Sequence, residues 1–116
     1  MKVTQYKNKN QFIITGDGVV CFQSYDSMIA EYDTTAKRLA VGSHWDYSQT
    51  TSKHFYLWLA EFVGVELTST NKRQEFAKII DNEHTHNTQG ERISVEHWTQ
   101  STMDENNATK QGEGNV

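Results

Sequence analysis

The chain has 116 residues, a formal net charge of −4 and one cysteine, Cys21. This length predicts a single domain that buries roughly two-thirds of the surface of the unfolded chain, while one cysteine excludes an internal disulfide. No apolar run reaches the length of about 18 residues that a membrane-spanning helix needs, and the polar start MKVTQYKNKNQ is unlike a secretory signal, so we expect a soluble, cytoplasmic protein.

The first part of the chain has the pattern of β-strands. QFIIT and VVCFQSY are rich in β-branched and aromatic residues, and Gly16-Asp17-Gly18 between them supplies the positive φ angles of a tight hairpin turn. MIAEY places Met28, Ala30 and Tyr32 on one face by alternation, and DTTAKR then leads into RLAV. With KVTQY as a candidate fifth strand, the pattern predicts an antiparallel meander of about four to five strands.

The middle of the chain changes to a helical period. From Thr51 onwards Phe55, Trp58, Leu59 and Phe62 recur at helical spacing, and Gly64 stands where a helix would end. A second helix is indicated by the capping pair Asn71 and Gln74, the apolar stripe Phe76, Ile79 and Ile80, and an end near Asn82.

The last third is predicted to contain little regular structure. EHTHNTQGE has the composition of a loop, and RISVEHW is predicted to be a short final strand. Residues 99–116 contain too few apolar side chains to order themselves by burial, so we expect a polar, flexible tail. The prediction is therefore an α+β fold, with a meander packed on two α-helices in one domain over residues 1–98.

The decapeptide WDYSQTTSKH, residues 45–54, lies between the last meander strand and the first helix. Ser48, Thr50 or Thr51 would provide an N-cap for the unpaired N–H groups at the helix start. Alternatively, those N–H groups together with Lys53 would hold a phosphate or carboxylate. The segment has no glycine of the kind that forms a phosphate-binding loop, which favours the structural interpretation.

Candidate catalytic and metal-binding residues are sparse. His84 and His86, with His97 further on, could supply zinc ligands, but no cysteine pair or HExxH spacing accompanies them. Cys21 lies in an apolar strand, where a thiol is usually a small buried hydrophobe, and no GxSxG turn exposes a serine. We therefore expect no enzyme activity, no metal and no cofactor.

The charge and the aromatic residues favour a binding role instead. Residues 1–48 carry five basic and five acidic side chains and residues 49–82 carry four of each, whereas residues 83–116 carry two and six. An acidic end on a neutral body suits a basic partner better than nucleic acid. Tyrosine and tryptophan are favoured at interfaces. The predicted partner-binding residues are Trp45, Tyr47, Lys53, Glu83, Glu91, Glu96, Trp98, Asp104 and Glu105.

SYDSMIAEYD, KRL and WDYSQTTSKHFYLWL together resemble a pattern in small uncharacterised proteins from phages and other mobile elements of low-GC Gram-positive bacteria. In that pattern a YDTxIA phrase is followed by a short strand and by YSxTTSKH at the start of a helix. The resemblance covers about residues 22–63. It implies an accessory gene of a mobile element, and it assigns no catalytic residue because the group has no known chemistry.

Small acidic accessory proteins of mobile elements often bind host machinery, and inhibitors of CRISPR effectors are one such class. The resemblance therefore implies a non-enzymatic protein-binding module in the cytoplasm of a bacterial host, with a Cas9-type defence nuclease as the expected partner. The alternative is a nucleic-acid-binding regulator that uses Lys7, Lys9, Lys37 and Arg38.

Overall fold

Five strands form the antiparallel meander that the sequence predicts, and KVTQY is its first strand. The computed structural model describes residues 1–106 of the chain. The strands are β1 (Lys2–Tyr6), β2 (Asn8–Gly16), β3 (Val19–Ser24), β4 (Ser27–Asp33) and β5 (Arg38–Gly42), and each pairs antiparallel with the next. The β2–β3 turn contains Asp17 at φ 50° and Gly18 at φ 77°, which confirms the predicted hairpin.

Two strands from the last third extend this sheet. They are β6 (His84–His86) and β7 (Arg92–Trp98), and the strand order is β1-β2-β3-β4-β5-β7-β6. β7 runs parallel to β5, whereas β6 pairs antiparallel with β7 at the edge. RISVEHW is a strand as predicted, but the prediction that EHTHNTQGE is entirely loop is wrong, because three of its residues form backbone pairs with β7.

Both predicted helices are present and lie on one face of the sheet. A 3₁₀ turn (Ser43–Asp46) follows β5 and leads into α1 (Gln49–Trp58), which continues as a π-helical turn (Leu59–Val63) and ends at Gly64 with φ 78°. α2 (Lys72–Asn82) begins after Asn71, whose side-chain oxygen accepts from the backbone N–H of Gln74 at 3.0 Å. Within the described residues, no helix is both long enough and apolar enough to cross a membrane.

The main core lies between these helices and the sheet. Phe22, Phe55, Trp58 and Phe76 are fully buried there. The rings of Phe55 and Phe76 meet edge to face, with centroids 5.0 Å apart at 89°, a favoured arrangement for aromatic pairs. This contact joins α1 to α2.

A bulge in β4 changes the predicted orientation of its side chains. Phe22 pairs with Ala30, but Gln23 pairs with Met28, so Ile29 is an extra residue between the two pairs. An extra residue reverses the alternation of side chains along the strand. Ala30 and Tyr32 therefore lie in the main core while Met28 lies on the opposite face, and the prediction that all three share a face is wrong.

The opposite face carries a second, smaller core that the sequence did not predict. Its buried members are Ile14, Cys21, Met28, Ala40 and Met103. Met103 belongs to the helical residues 100–106, here called α3, and its side chain is fully buried. Gln100 of α3 donates to the backbone oxygen of Met28 at 2.6 Å and accepts from the backbone N–H of His44 at 3.0 Å.

The folded unit consequently extends past the predicted boundary at Trp98. The prediction that the C-terminal segment cannot order itself by burial is wrong for residues 99–106, because Gln100, Met103 and Asp104 anchor α3 to the sheet. Residues 107–116 of the predicted tail lie outside the described residues.

Candidate protein-binding surfaces

The two aromatic residues predicted at the junction before α1 have opposite environments. Trp45 is only 5% exposed, and its ring centroid lies 5.0 Å from that of Phe76, so its prediction as an interface residue is wrong. The 3₁₀ turn rotates its indole under α1 and α2, where burial of a large ring is most favourable. Tyr47 is 76% exposed, with its ring 5.2 Å from the ring of His44.

Tyr47 lies beside a second exposed tyrosine that sequence reasoning missed. Tyr25, in the β3–β4 turn, is 55% exposed, and both tyrosines line a hollow of about 470 Å³. Tyr25 has φ 53°, a left-handed conformation that bulky side chains rarely adopt and that often occurs at functional positions. The signal in the sequence that could have indicated this turn is the short separation of two residues between β3 and β4.

WDYSQTTSKH provides the N-cap of α1 as the structural interpretation requires. Of the three candidates, Ser48 is the cap, because its hydroxyl oxygen accepts from the backbone N–H of Thr51 at 3.1 Å. Thr51 is buried, and its hydroxyl lies 2.8 Å from that of Ser24 on β3. Thr50 is exposed. Lys53 is also exposed and lies on the wall of a large open groove beside α1.

Three of the predicted acidic residues are engaged in local structure. Glu83 ends α2 with φ 62°. Glu91 forms an ion pair with Lys37 at 3.1 Å, and a hydrogen bond from Asn87, followed by this ammonium group, lowers the pKa of Glu91. Asp104 accepts from the backbone N–H of Met28 at 2.9 Å, which holds α3 on the sheet.

Glu96 and Trp98 contribute to a hollow on the α3 side of the sheet, here called the acidic hollow. Its volume is about 330 Å³, and it is lined by Val19, Glu31, Asp33, Arg38, Ala40, Glu96, Trp98 and Asn106. Strand register brings two of these acidic residues together, because Glu31 pairs with Ala40 and Ala40 pairs with Glu96. Two carboxylates therefore flank a small apolar residue on neighbouring strands.

The sequence analysis did not select Glu31 and Asp33, because basic and acidic residues are equal in number over residues 1–48 and this segment therefore shows no excess of acidic charge. Asp33 pairs with Arg38 on the next strand, so the lining carries three acidic side chains and one basic. Trp98 donates its indole N–H to Glu96 at 3.1 Å, which fixes the ring at the rim. Glu105 is exposed on α3, next to Asn106, which donates to Glu31 at 3.3 Å.

The catalytic and metal candidates do not form a site in the described residues. Cys21 is 2% exposed in the second core. His84 and His86 have ring centroids 5.9 Å apart on β6. His97 on β7 lies on the other face of the sheet, because side chains alternate along the strand and His97 therefore shares the face of Ile93 and Val95. In residues 1–106 no group of three or more histidine, cysteine or acidic side chains is arranged to hold a metal ion.

The cations of the nucleic-acid alternative lie at opposite ends of the strands. Lys7 is in the β1–β2 turn and Lys9 follows it, whereas Lys37 and Arg38 are at the β4–β5 turn. In an antiparallel meander these two turns are at opposite ends of the strands. Lys37 is paired with Glu91 and Arg38 lines the acidic hollow, so the four charges form no continuous basic patch.

Comparison with known proteins gives one family match. A family model described as a family of unknown function, DUF8033, matches residues 1–82, from β1 to the end of α2. No curated protein and no solved structure matches the chain. The matched region contains Glu31 and Asp33 of the acidic hollow and stops before Glu96 and Trp98.

Proposed function

The chain belongs to the DUF8033 family, and we propose that it is a non-enzymatic protein-binding module whose partner places a lysine or arginine side chain in the acidic hollow. The observation that carries the proposal is the placement of Glu31 and Glu96 on either side of the small side chain of Ala40, with the Trp98 ring at the rim. Asp33 and Arg38 complete the lining, and the Asp33 carboxylate also accepts from the backbone N–H groups of the β4–β5 turn. An ammonium or guanidinium group can pair with carboxylates and lie against an indole face in such a place.

The geometry of the hollow suits a side chain better than a bare ion. A volume of about 330 Å³ accommodates the aliphatic stem of lysine or arginine as well as its charged head. The indole is held by its hydrogen bond to Glu96, so little conformational freedom is lost when the ring makes a contact. The cation–π contact itself contributes about 0.5–2 kcal/mol, depending on how far the site is desolvated.

The expected partner is a nuclease of host defence, of the Cas9 type. Such effectors hold a nucleic-acid backbone in a channel lined by lysine and arginine, and carboxylates at similar positions would compete for those side chains. Support comes from the acidic hollow and from the resemblance of residues 22–63 to proteins of mobile elements. In this proposal the protein acts in the cytoplasm of a bacterial host.

The test is co-purification with Cas9-type effectors of low-GC Gram-positive bacteria, followed by a DNA-cleavage assay with and without the protein. Glu96→Lys reverses one charge in the hollow, and Asp81→Lys makes the same change on the exposed outer side of α2. We expect Glu96→Lys to weaken binding about ten-fold or more, because it places a like charge against the partner's cation, while Asp81→Lys binds normally.

Thermal melting of both variants verifies that they remain folded. An absence of both binding and inhibition across these effectors would show that the partner belongs to another class. If an effector binds the wild type and Glu96→Lys equally well, the acidic hollow is not the contact surface.

A further inference from the structure

A larger open groove lies on the other side of the molecule, between α1 and the segment that leads into α2. Its volume is about 1070 Å³. One wall is the outer side of α1, and the other is formed by residues 66–73. We call it the basic groove, because its lining includes Lys53, Lys72 and Arg73.

The balance of charge in the basic groove is positive. Arg73 pairs with Asp46 at 3.0 Å, which leaves Glu66 as the other carboxylate in the lining. Lys53 and Lys72 are exposed, and neither forms an ion pair within residues 1–106. Because α1 begins at this groove, the partial positive charge of its N-terminal end adds to the two lysines. The N-terminal end of α2 also lies at the groove, but Glu75 in its first turn offsets the charge there.

The same groove has an apolar side. Leu57 is 42% exposed, and Ala60 and Leu67 line the groove beside it. The hydroxyl of Tyr56 is buried at the groove wall, where the Ser52 side chain lies close to it. Burial is the main cause that raises the pKa of this phenol, so it remains a neutral donor at physiological pH.

We propose that the basic groove binds an acidic peptide segment of a partner protein that also carries a large apolar side chain. Carboxylates of the segment would pair with Lys53 and Lys72, and the apolar side chain would cover Leu57. The apolar wall and the size of the groove favour a peptide over inorganic phosphate. The proposal goes beyond the acidic hollow, since the two surfaces have opposite charge and lie on opposite faces of the sheet.

The test begins with selection from a displayed library of random peptides of about twelve residues, which can enter a groove either as a helix or as an extended segment. We expect enrichment of peptides that combine aspartate or glutamate with leucine or phenylalanine. Affinities of the enriched peptides are then measured by fluorescence anisotropy at low and high salt. The double variant Lys53→Glu/Lys72→Glu should bind them at least about ten-fold more weakly, and binding to the wild type should weaken as salt screens the contacts.

Matched controls separate the groove from general electrostatics. Lys2→Glu/Lys9→Glu makes the same change in net charge at exposed positions of β1 and β2, and it should bind normally. Leu57→Gln should weaken binding without changing the salt dependence. None of these measurements involves a nuclease, so their outcome does not depend on whether the acidic hollow binds a partner.

Three results would overturn the proposal. One is a selection that enriches no acidic and apolar combination. Another is an equal loss of affinity in both charge-reversal pairs. The third is self-association of the wild type at low salt that Lys53→Glu/Lys72→Glu abolishes, because the groove would then hold a second copy of this chain.

Discussion

Replacement of Met103 by alanine tests whether α3 is an integral part of the fold. The methionine is fully buried in the second core with Ile14, Cys21 and Met28. The substitution removes three heavy atoms from that core and leaves the main core untouched. It therefore isolates the contribution of the segment that sequence reasoning assigned to a flexible tail.

The expected cost follows from the burial. Three buried groups at about 0.8 kcal/mol each give about 2.4 kcal/mol, and the cavity that remains raises the total to about 3 kcal/mol. If α3 detaches instead of leaving a cavity, the cost cannot exceed the free energy with which α3 docks. In both cases the sheet face around Cys21 becomes more accessible.

Urea unfolding gives the free energy of unfolding, and the rate of reaction of Cys21 with a thiol reagent gives its accessibility. Cys21 is the only cysteine, so the reaction reports a single position. Ser101→Ala is the matched control, because Ser101 is exposed on the same helix. A loss below about 0.5 kcal/mol with an unchanged thiol rate would refute the reasoning, since surface substitutions typically fall in that range.

Three further substitutions test other parts of the structure. Ser48→Ala should lower the free energy of unfolding by about 1 kcal/mol and Thr50→Ala by much less, because only Ser48 caps α1; equal effects in urea unfolding would contradict this assignment. Burial and the hydrogen bond to Glu61 raise the pKa of Tyr6. This raised pKa stabilises the folded state in full at pH values below the phenol pKa of the unfolded chain, which is about 10. The stabilisation is lost progressively as the pH rises above that value. In a pH series of unfolding curves Tyr6→Phe should therefore lose less stability than the wild type above pH about 10, and parallel losses would refute the linkage. Tyr25→Asn should leave stability unchanged or raise it by up to about 1 kcal/mol, since asparagine tolerates positive φ better than tyrosine; a clear loss in thermal melting would show instead that the ring stabilises the turn.

The candidate sites were predictable only in part. Glu96 and Trp98 were selected from the acidic end of the chain and are neighbours in the acidic hollow. Glu31 was not selected, because it reaches the hollow through the pairing of β4, β5 and β7, and β7 follows β5 only after about fifty residues of intervening chain. Strand register determines which side chains of separate strands share a surface, and a count of charges along the chain carries no information about register.

Local physics determined much of this protein from the sequence alone. The turn at Asp17-Gly18, the cap at Asn71 and the stop at Gly64 depend on backbone preferences of a few adjacent residues, and each is present where it was predicted. Such preferences do not depend on the rest of the fold, so they can be read directly from neighbouring residues.

Tertiary structure alone decided which surfaces meet. The bulge at Ile29 divides β4 between two cores, and the parallel pairing of β7 with β5 brings α3 and Met103 to the second face. Trp45 became a core residue in the same way, through contact with Phe76 on α2. Hydrophobic burial is non-directional, so the sequence indicates that an apolar side chain will be covered, and only the assembled chain determines what covers it.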